Sequence, residues 1–232
     1  MSTTTMATPI EVMPGTIAFY ADIGCPWAHL AHHRLVAARH RLGLTESVGI
    51  DIRPFPLELV NDMATPKLIL DAEVPVAGGA EPAAGWQMWQ ARAHDYPVTT
   101  ILAMEAVEVA KDQGLEASAT FDRALRRALF GQSRNISMRH EVLAVAEACG
   151  LDVDAIRAGL VSGRARAYIE EQVPLCRGEA VQGSPTLFFP DGTSVHNPGI
   201  TMRWHDAQGV GFPVIDRDDP SVYADLLHRA LS

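Results

Sequence analysis

Apolar residues recur along the chain with two periods, and these periods set the predicted elements. Thr16-Ile17-Ala18-Phe19-Tyr20 is an unbroken β-branched and aromatic run behind a Pro-Gly break, which predicts a buried strand. From Pro26 to Leu42 the apolar positions Leu30, Ala31, Leu35, Ala38 and Leu42 fall at helical spacing, and Gly43 follows as a stop. Pro26 then occupies the first turn, where its missing N–H costs nothing. Val48 to Arg53 alternates and ends at Pro54, which predicts a second strand. Strand, helix and strand within this length form a βαβ unit, whose two strands are expected to be parallel.

From about Asn61 to Cys176 the pattern is helical. Met63 to Gly85 is rich in Pro, Gly and Ala and reads as a loop around one short helix. Helices are expected from Ile101 to Lys111, from Thr120 to Phe130 between Ser118 and a stop at Gly131, and from Met138 to Cys149 behind Ser137. Asp152 or Asp154 leads a further helix, and Arg164 to Leu175 follows Gly163. Strand character returns at Thr186 to Phe189. Pro190-Asp191-Gly192 reads as a turn and Thr193 to Val195 as the returning strand of a hairpin. The stretch Gly209 to Asp216 reads as a structured loop. A last helix runs from about Pro220 to Leu231, with Val222, Leu226, Leu227 and Leu231 on one face.

The order is therefore βαβ, a helical block, then ββα. This predicts an α/β, thioredoxin-like fold with a helical insertion between the βαβ and ββα halves. Residues 14–60 and 177–232 form the expected thioredoxin-like domain, and residues 61–176 the inserted helical subdomain.

Charge narrows the partners. The chain carries 19 Lys and Arg against 28 Asp and Glu, a formal net charge of −9. An acidic chain without a basic block has no electrostatic reason to approach nucleic acid or anionic lipid. No apolar run approaches the ~18 residues that span a bilayer. The N-terminal stretch lacks the basic start and apolar core of a secretory leader. Three cysteines, none close to another in sequence, do not make a disulfide scaffold. A cytoplasmic location with free thiols is the expectation.

Cys25 stands where the first strand enters the first helix. A helix N-terminus exposes unpaired N–H groups and the positive end of the dipole, equivalent to roughly +0.5 charge. A thiolate there is favoured, and a cysteine so placed can titrate at about 3.5 to 7.5 instead of about 8.5. The expectation is a reactive Cys25 with a pKa below 7.5; the alternative is a buried, inert thiol. A second feature, Val181-Gln182-Gly183-Ser184-Pro185-Thr186, lies just ahead of the later apolar strand.

The pair "CPWA" and "GSPTLFF" resembles the active-site helix start and cis-proline loop of the DsbA-like branch of the thioredoxin superfamily, above all FrnE-type and actinobacterial DsbA-family oxidoreductases. "DGTSVHNPGI", Asp191 to Ile200, fits the same branch, and the resemblance covers nearly the whole chain. It implies Cys25 as the nucleophile, Pro26 and Trp27 as the pair that tunes it, a cis Pro185 against the sulfur, and a Ser184 backbone free to pair with an extended substrate. Many dithiol members have a cysteine where Ala28 stands here. Alanine cannot release a mixed disulfide by internal attack. The resemblance therefore implies a monothiol oxidoreductase regenerated by a low-molecular-weight thiol, glutathione or mycothiol, with no bound cofactor. Its substrate is a disulfide or a small molecule, and the chain is a monomer or a homodimer. Two alternatives stay open: an enzyme like the kappa-class glutathione transferases or the 2-hydroxychromene-2-carboxylate isomerases, and a redox-inactive thioredoxin-fold binding protein.

The remaining candidates each have two readings. Asp22 is a possible proton acceptor for the thiol or a cap of the strand end. His29 is expected to project beside the thiol. His32, His33 and His40 share its helix; His29 and His33, four apart, lack the acidic or Cys companion of a zinc site, so the histidines read as solvated or capping and no metal is expected. Trp86 and Trp89, flanking Met88, form either a ligand wall or the closure of the insertion's core. Cys176 is a candidate resolving thiol or a core cysteine, and Cys149 reads as core.

Overall fold

A computed structural model describes residues 10–231 of the chain; the N-terminal stretch read for a leader lies in large part outside them. The first strand, β1 (Thr16–Ala21), runs through the centre of a four-stranded sheet. Its apolar run is unbroken because both faces are covered. Ile17, Phe19 and Ala21 enter one core cluster, and Ala18 and Tyr20 enter a second on the other face. The chain continues into α1 (Pro26–Arg41) and returns as β2 (Gly49–Pro54), which pairs parallel with β1 as expected. Pro26 opens α1, and Gly43 follows its end at φ 67°.

The next segment differs from its reading. A single turn, α2 (Leu57–Val60), precedes α3 (Lys67–Ala80), a 14-residue helix where a loop around one short helix was expected. Pro75, Gly78 and Gly79 all lie inside it. Their low helix propensity is overridden because Leu70, Glu73, Val74 and Ala77 share one face and bury it.

The helical block continues with α4 (Ile101–Ala110), α5 (Leu115–Gln132), α6 (Arg139–Ala148), α7 (Val153–Ser162) and α8 (Arg164–Arg177). Asp152 caps α7 by accepting from the Ala155 N–H, and Gly163 at φ 74° separates α7 from α8. Helix α5 overruns both of its expected ends. Ser118 does not cap it but lies one turn inside, its hydroxyl donating to the Val107 carbonyl at 2.8 Å. Gly131 is not a stop either. A Cβ there would sit 3.1 Å from the Gly85 carbonyl, so its lack of a side chain permits a close backbone crossing, and Ser133 at φ 51° ends the helix instead.

β3 (Thr186–Phe188) and β4 (Ser194–His196) form the expected antiparallel hairpin and complete the sheet in the order β2-β1-β3-β4. Beyond them, β5 (Ile200–His205) and β6 (Phe212–Asp218) form a separate antiparallel ribbon. From Phe212 onward, the stretch read as a loop is therefore strand. Pro213 is tolerated opposite Trp204 because both strands of a two-stranded ribbon are edges. Helix α9 (Val222–Arg229) closes the chain against α1.

The sheet and the helical block share one continuous core, from Ile17, Phe19 and Leu35 through Phe121 and Leu125 to Val142 and Ile169. No helix among the described residues is long and apolar enough to cross a membrane.

Candidate active site

Cys25 is the N-cap residue of α1, and its thiol donates to the Ser184 carbonyl across 3.2 Å. Strand β1 and helix α1 fix one partner, and the loop into β3 supplies the other. The Ser184–Pro185 peptide is cis. Sequence neighbours explain neither the approach nor its tightness. Gly24 has no room for a side chain, since a Cβ there would meet Thr100 Cγ2 at 3.0 Å and Asp22 Oδ1 at 3.3 Å. The Ser184 carbonyl, expected to be free for a substrate backbone, is already held by the thiol, and the Ser184 hydroxyl accepts from the Asp22 N–H at 2.9 Å.

The sulfur faces a cleft of about 390 Å³, lined by Pro26, Trp27, Leu57, Met63, Ile69, Leu70 and Ser184 among others. Glu73 of α3 lines it too, although no sequence reading singled it out. Its signal was present as a lone acidic residue within the helical stripe Leu70, Val74, Ala77, but the stretch was read as mostly loop. Burial holds the Glu73 carboxyl up at about 7. The Trp27 indole N–H leans toward it and opposes that shift, yet no bond of regular geometry closes, and Trp27 Nε1 stays buried without a partner.

The thiol itself departs from expectation. Burial first, and then the Glu73 carboxylate, push Cys25 up to about 11. The Ser184 side chain, the Ala28 N–H and the Arg126 guanidinium pull the other way and do not prevail. The expected pKa below 7.5 rested on the helix terminus alone. That terminus supplies a partial charge, whereas Cys25, only 6% exposed, loses hydration and faces the Glu73 carboxyl. The resting thiol is protonated at neutral pH, as its hydrogen bond to a carbonyl requires.

Asp22 is a brace. Its Oδ1 accepts from the Gly24 N–H at 2.7 Å and the Thr100 hydroxyl at 2.9 Å, and its Oδ2 accepts from the Leu57 N–H at 2.9 Å. Burial raises its pKa against these three bonds. Below the same loop, Arg126 of α5 donates to the Asp22 and Ile23 carbonyls at 2.7 and 3.3 Å. It also pairs through two nitrogens with Asp122, which in turn accepts from His32 Nδ1 at 2.7 Å. Asp122 is held down at about 2 by the Arg126 charge and the His32 bond, despite its burial. An ionised carboxylate only accepts, so Nδ1 carries the His32 proton.

His29 does not stand beside the thiol. Four residues on from Cys25, it turns into the insertion, its ring stacked on Phe130 at 5.2 Å and edge-on to Trp86 at 4.5 Å. Burial lowers its pKa to about 3, so it is neutral and out of reach as a proton carrier for Cys25. Trp86 and Trp89 are absent from the Cys25 cleft. Trp86 donates to the Glu81 carbonyl and packs on Gly78, and Trp89 donates to the Arg92 carbonyl and meets Tyr96 edge-on. Both pack partly buried against the core, and with Met88 they line depressions separate from the Cys25 cleft. Among the described residues no group of three His, Cys, Asp or Glu side chains converges as a metal site. Cys176 is buried with Ala18, Tyr20 and Phe188, on the face of β1 opposite the cluster that holds Cys25. Burial pushes its thiol to about 12, and Cys149 is half-buried at the end of α6. All three cysteines are free.

The comparisons with known proteins agree with this architecture. The ClpXP adapter protein SpxH of Shouchella clausii (strain KSM-K16) is 37% identical over 99 residues, which cover 42% of this chain and 32% of that protein, so the match spans about a third of that relative. The cytosolic disulfide reductase DsbM of Pseudomonas aeruginosa, solved with GSH, superposes with a TM-score of 0.63 at 19% identity, over 92% of this chain and 97% of that one. A probable DsbA oxidoreductase from Streptomyces coelicolor gives a TM-score of 0.59 at 19% identity, over 93% and 89%. At such identities the two structures speak for the fold. Residues 16–210 match the family model of the DSBA-like thioredoxin domain, and the chain belongs to that family.

Proposed function

We propose that the protein is a cytoplasmic thiol–disulfide oxidoreductase that works through Cys25 alone and is regenerated by a low-molecular-weight thiol such as glutathione or mycothiol. The observation that carries this reading is the Cys25 sulfur at the mouth of α1, facing an open cleft and 3.2 Å from the Ser184 carbonyl. Ala28 stands one turn on, and Cys176 lies across the sheet.

The Cys25 thiol first gives its proton to solvent base, and the thiolate so formed attacks one sulfur of a disulfide RSSR. A Cys25–S–S–R bond forms and RS⁻ leaves. A second small thiolate R′S⁻ then attacks the R sulfur, releasing RSSR′ and the Cys25 thiolate. The helix amides, led by the Ala28 N–H, stabilise the sulfur charge at departure. Pro26, Trp27, Ser184 and Pro185 shape the site, and Asp22 holds the loop that carries the sulfur.

The test is intact mass after incubation with bis(2-hydroxyethyl) disulfide or oxidised mycothiol. One adduct on Cys25, removed by free thiol and absent in Cys25→Ser, is expected. Turnover of 1-chloro-2,4-dinitrobenzene with a thiol, surviving Cys25→Ser, would instead establish a transferase.

A further inference from the structure

The cleft over Cys25 is lined by one carboxyl group, Glu73, ionised above about pH 7, and by no cationic side chain among the described residues. Glu73 lines it, is 8% exposed, and has the Trp27 indole as the one polar group acting on it. A second depression shares Gly24, Thr65 and Leu70 with the cleft and adds two more carboxylates, Asp22 and Glu58. Among the described residues, no Lys, Arg or His lines either one. The cations on neighbouring elements are committed elsewhere. Lys67 binds Asp71 at 2.6 Å, Arg177 donates to the Leu59 carbonyl at 2.6 Å, and Arg126 is sealed beneath the loop on Asp122.

We infer that Glu73 is a specificity-determining residue that makes this cleft accept uncharged and cationic thiols and disulfides and reject anionic ones. The inference deepens the oxidoreductase reading and rests on it for the identity of the substrate. An anionic partner entering the cleft loses hydration, gains no cationic donor and faces the Glu73 carboxylate in a medium less polar than water. A cation gains from the same charge. Glutathione, with two carboxylates against one ammonium, is on the disfavoured side; an uncharged, hydroxyl-bearing thiol is not.

The test compares three methanethiosulfonates of different charge: 2-aminoethyl (cation), methyl (neutral) and 2-sulfonatoethyl (anion). In each case the Cys25 thiolate attacks the sulfenyl sulfur, forms Cys25–S–S–R and expels methanesulfinate. Rates are measured at pH 8.5, above the Glu73 carboxyl at about 7, by intact mass with the site located by peptide mapping, and are divided by those of a free small thiol. The normalised cation-to-anion ratio is expected to exceed that of the free thiol by at least about tenfold. Both Glu73→Gln and Glu73→Met are expected to bring it within about threefold of the free thiol. Two variants are used so that a folding defect in one does not decide the matter. A wild-type ratio within about threefold of the free thiol, or a high ratio that both variants retain, would overturn the inference. Failure of 2-mercaptoethanol to release the adducts would overturn the oxidoreductase reading and leave the charge selection standing. No modification of Cys25 by any of the three reagents would overturn both.

Discussion

Arg126→Met keeps most of a buried side chain's length and removes its charge. Arg126 is fully buried, as are Asp122 and His32. The guanidinium makes two bonds to Asp122, at 2.7 and 3.1 Å, and holds the Asp22 and Ile23 carbonyls of the loop that presents Cys25. With methionine in its place, Asp122 keeps only His32, and two buried carbonyls lose a donor. Stranding one partner of a buried pair costs about 3–5 kcal/mol. The carboxyl gives a second measure. Asp122 is held at about 2 against an ordinary value of 3.8, a difference worth roughly 2–3 kcal/mol. A depressed folded-state pKa contributes stability that is complete above the unfolded value and is lost as pH falls through the folded one. The wild-type advantage is thus full above about pH 4 and shrinks toward pH 2. Against a total stability of about 5–15 kcal/mol the loss is large. Urea unfolding at pH 7, followed by tryptophan fluorescence, is expected to show a stability lowered by that amount, read as a lower midpoint at an unchanged slope. The double variant Asp122→Leu, Arg126→Met removes the stranded charge, and its loss is expected to be smaller than that of the single variant. A single variant within about 1 kcal/mol of wild type, or a double variant no better than the single, would refute the role given to this pair.

Three further predictions concern the thiols and the core. Because burial and Glu73 raise the Cys25 pKa to about 11, the iodoacetamide rate at Cys25 is expected to climb steadily from pH 7 to 10; a plateau below pH 8 would show the helix terminus prevailing. Cys176→Ala is expected to leave release of a Cys25 adduct by a small thiol unchanged, since the residue packs against the opposite face of β1; a large slowing, read by mass over time, would place Cys176 in the reaction. Gly159→Ala puts a Cβ 2.3 Å from Val109 Cγ1 where α7 crosses α4, and a loss of about 1–3 kcal/mol is expected in thermal unfolding; no change would mean that the two helices separate freely.

Elements with strong local signals were legible in the sequence. β1 showed as an apolar run, α1 as a periodic stripe between Pro26 and Gly43, and α7 as a helix led by Asp152 or Asp154. The Cys25 and Ser184–Pro185 motifs were also legible, because each is a short stretch whose residue types act locally. Misreadings fell where local propensity and packing disagree. Pro75, Gly78 and Gly79 argue against helix one residue at a time, yet α3 forms because its buried face outweighs them. Ser118 and Gly131 carry the residue types of a cap and a stop, but their roles are a bond to Val107 and a crossing with Gly85, more than ten residues and more than forty residues away.

The chemistry divides the same way. The amino-acid order by itself determined which sulfur opens a helix, that no thiol follows one turn later, and that a proline loop precedes the hairpin of β3 and β4. Only the tertiary structure decided that His29 and Trp86 turn to each other and away from the sulfur, that Asp22 braces the loop, that Cys176 lies across the sheet, and that a carboxylate from α3 faces Cys25. The reason is physical. Periodicity and capping act over a few residues and are written in neighbours, whereas desolvation and Coulomb interactions depend on which distant groups share a space, and that is settled only when the insertion folds down on the sheet.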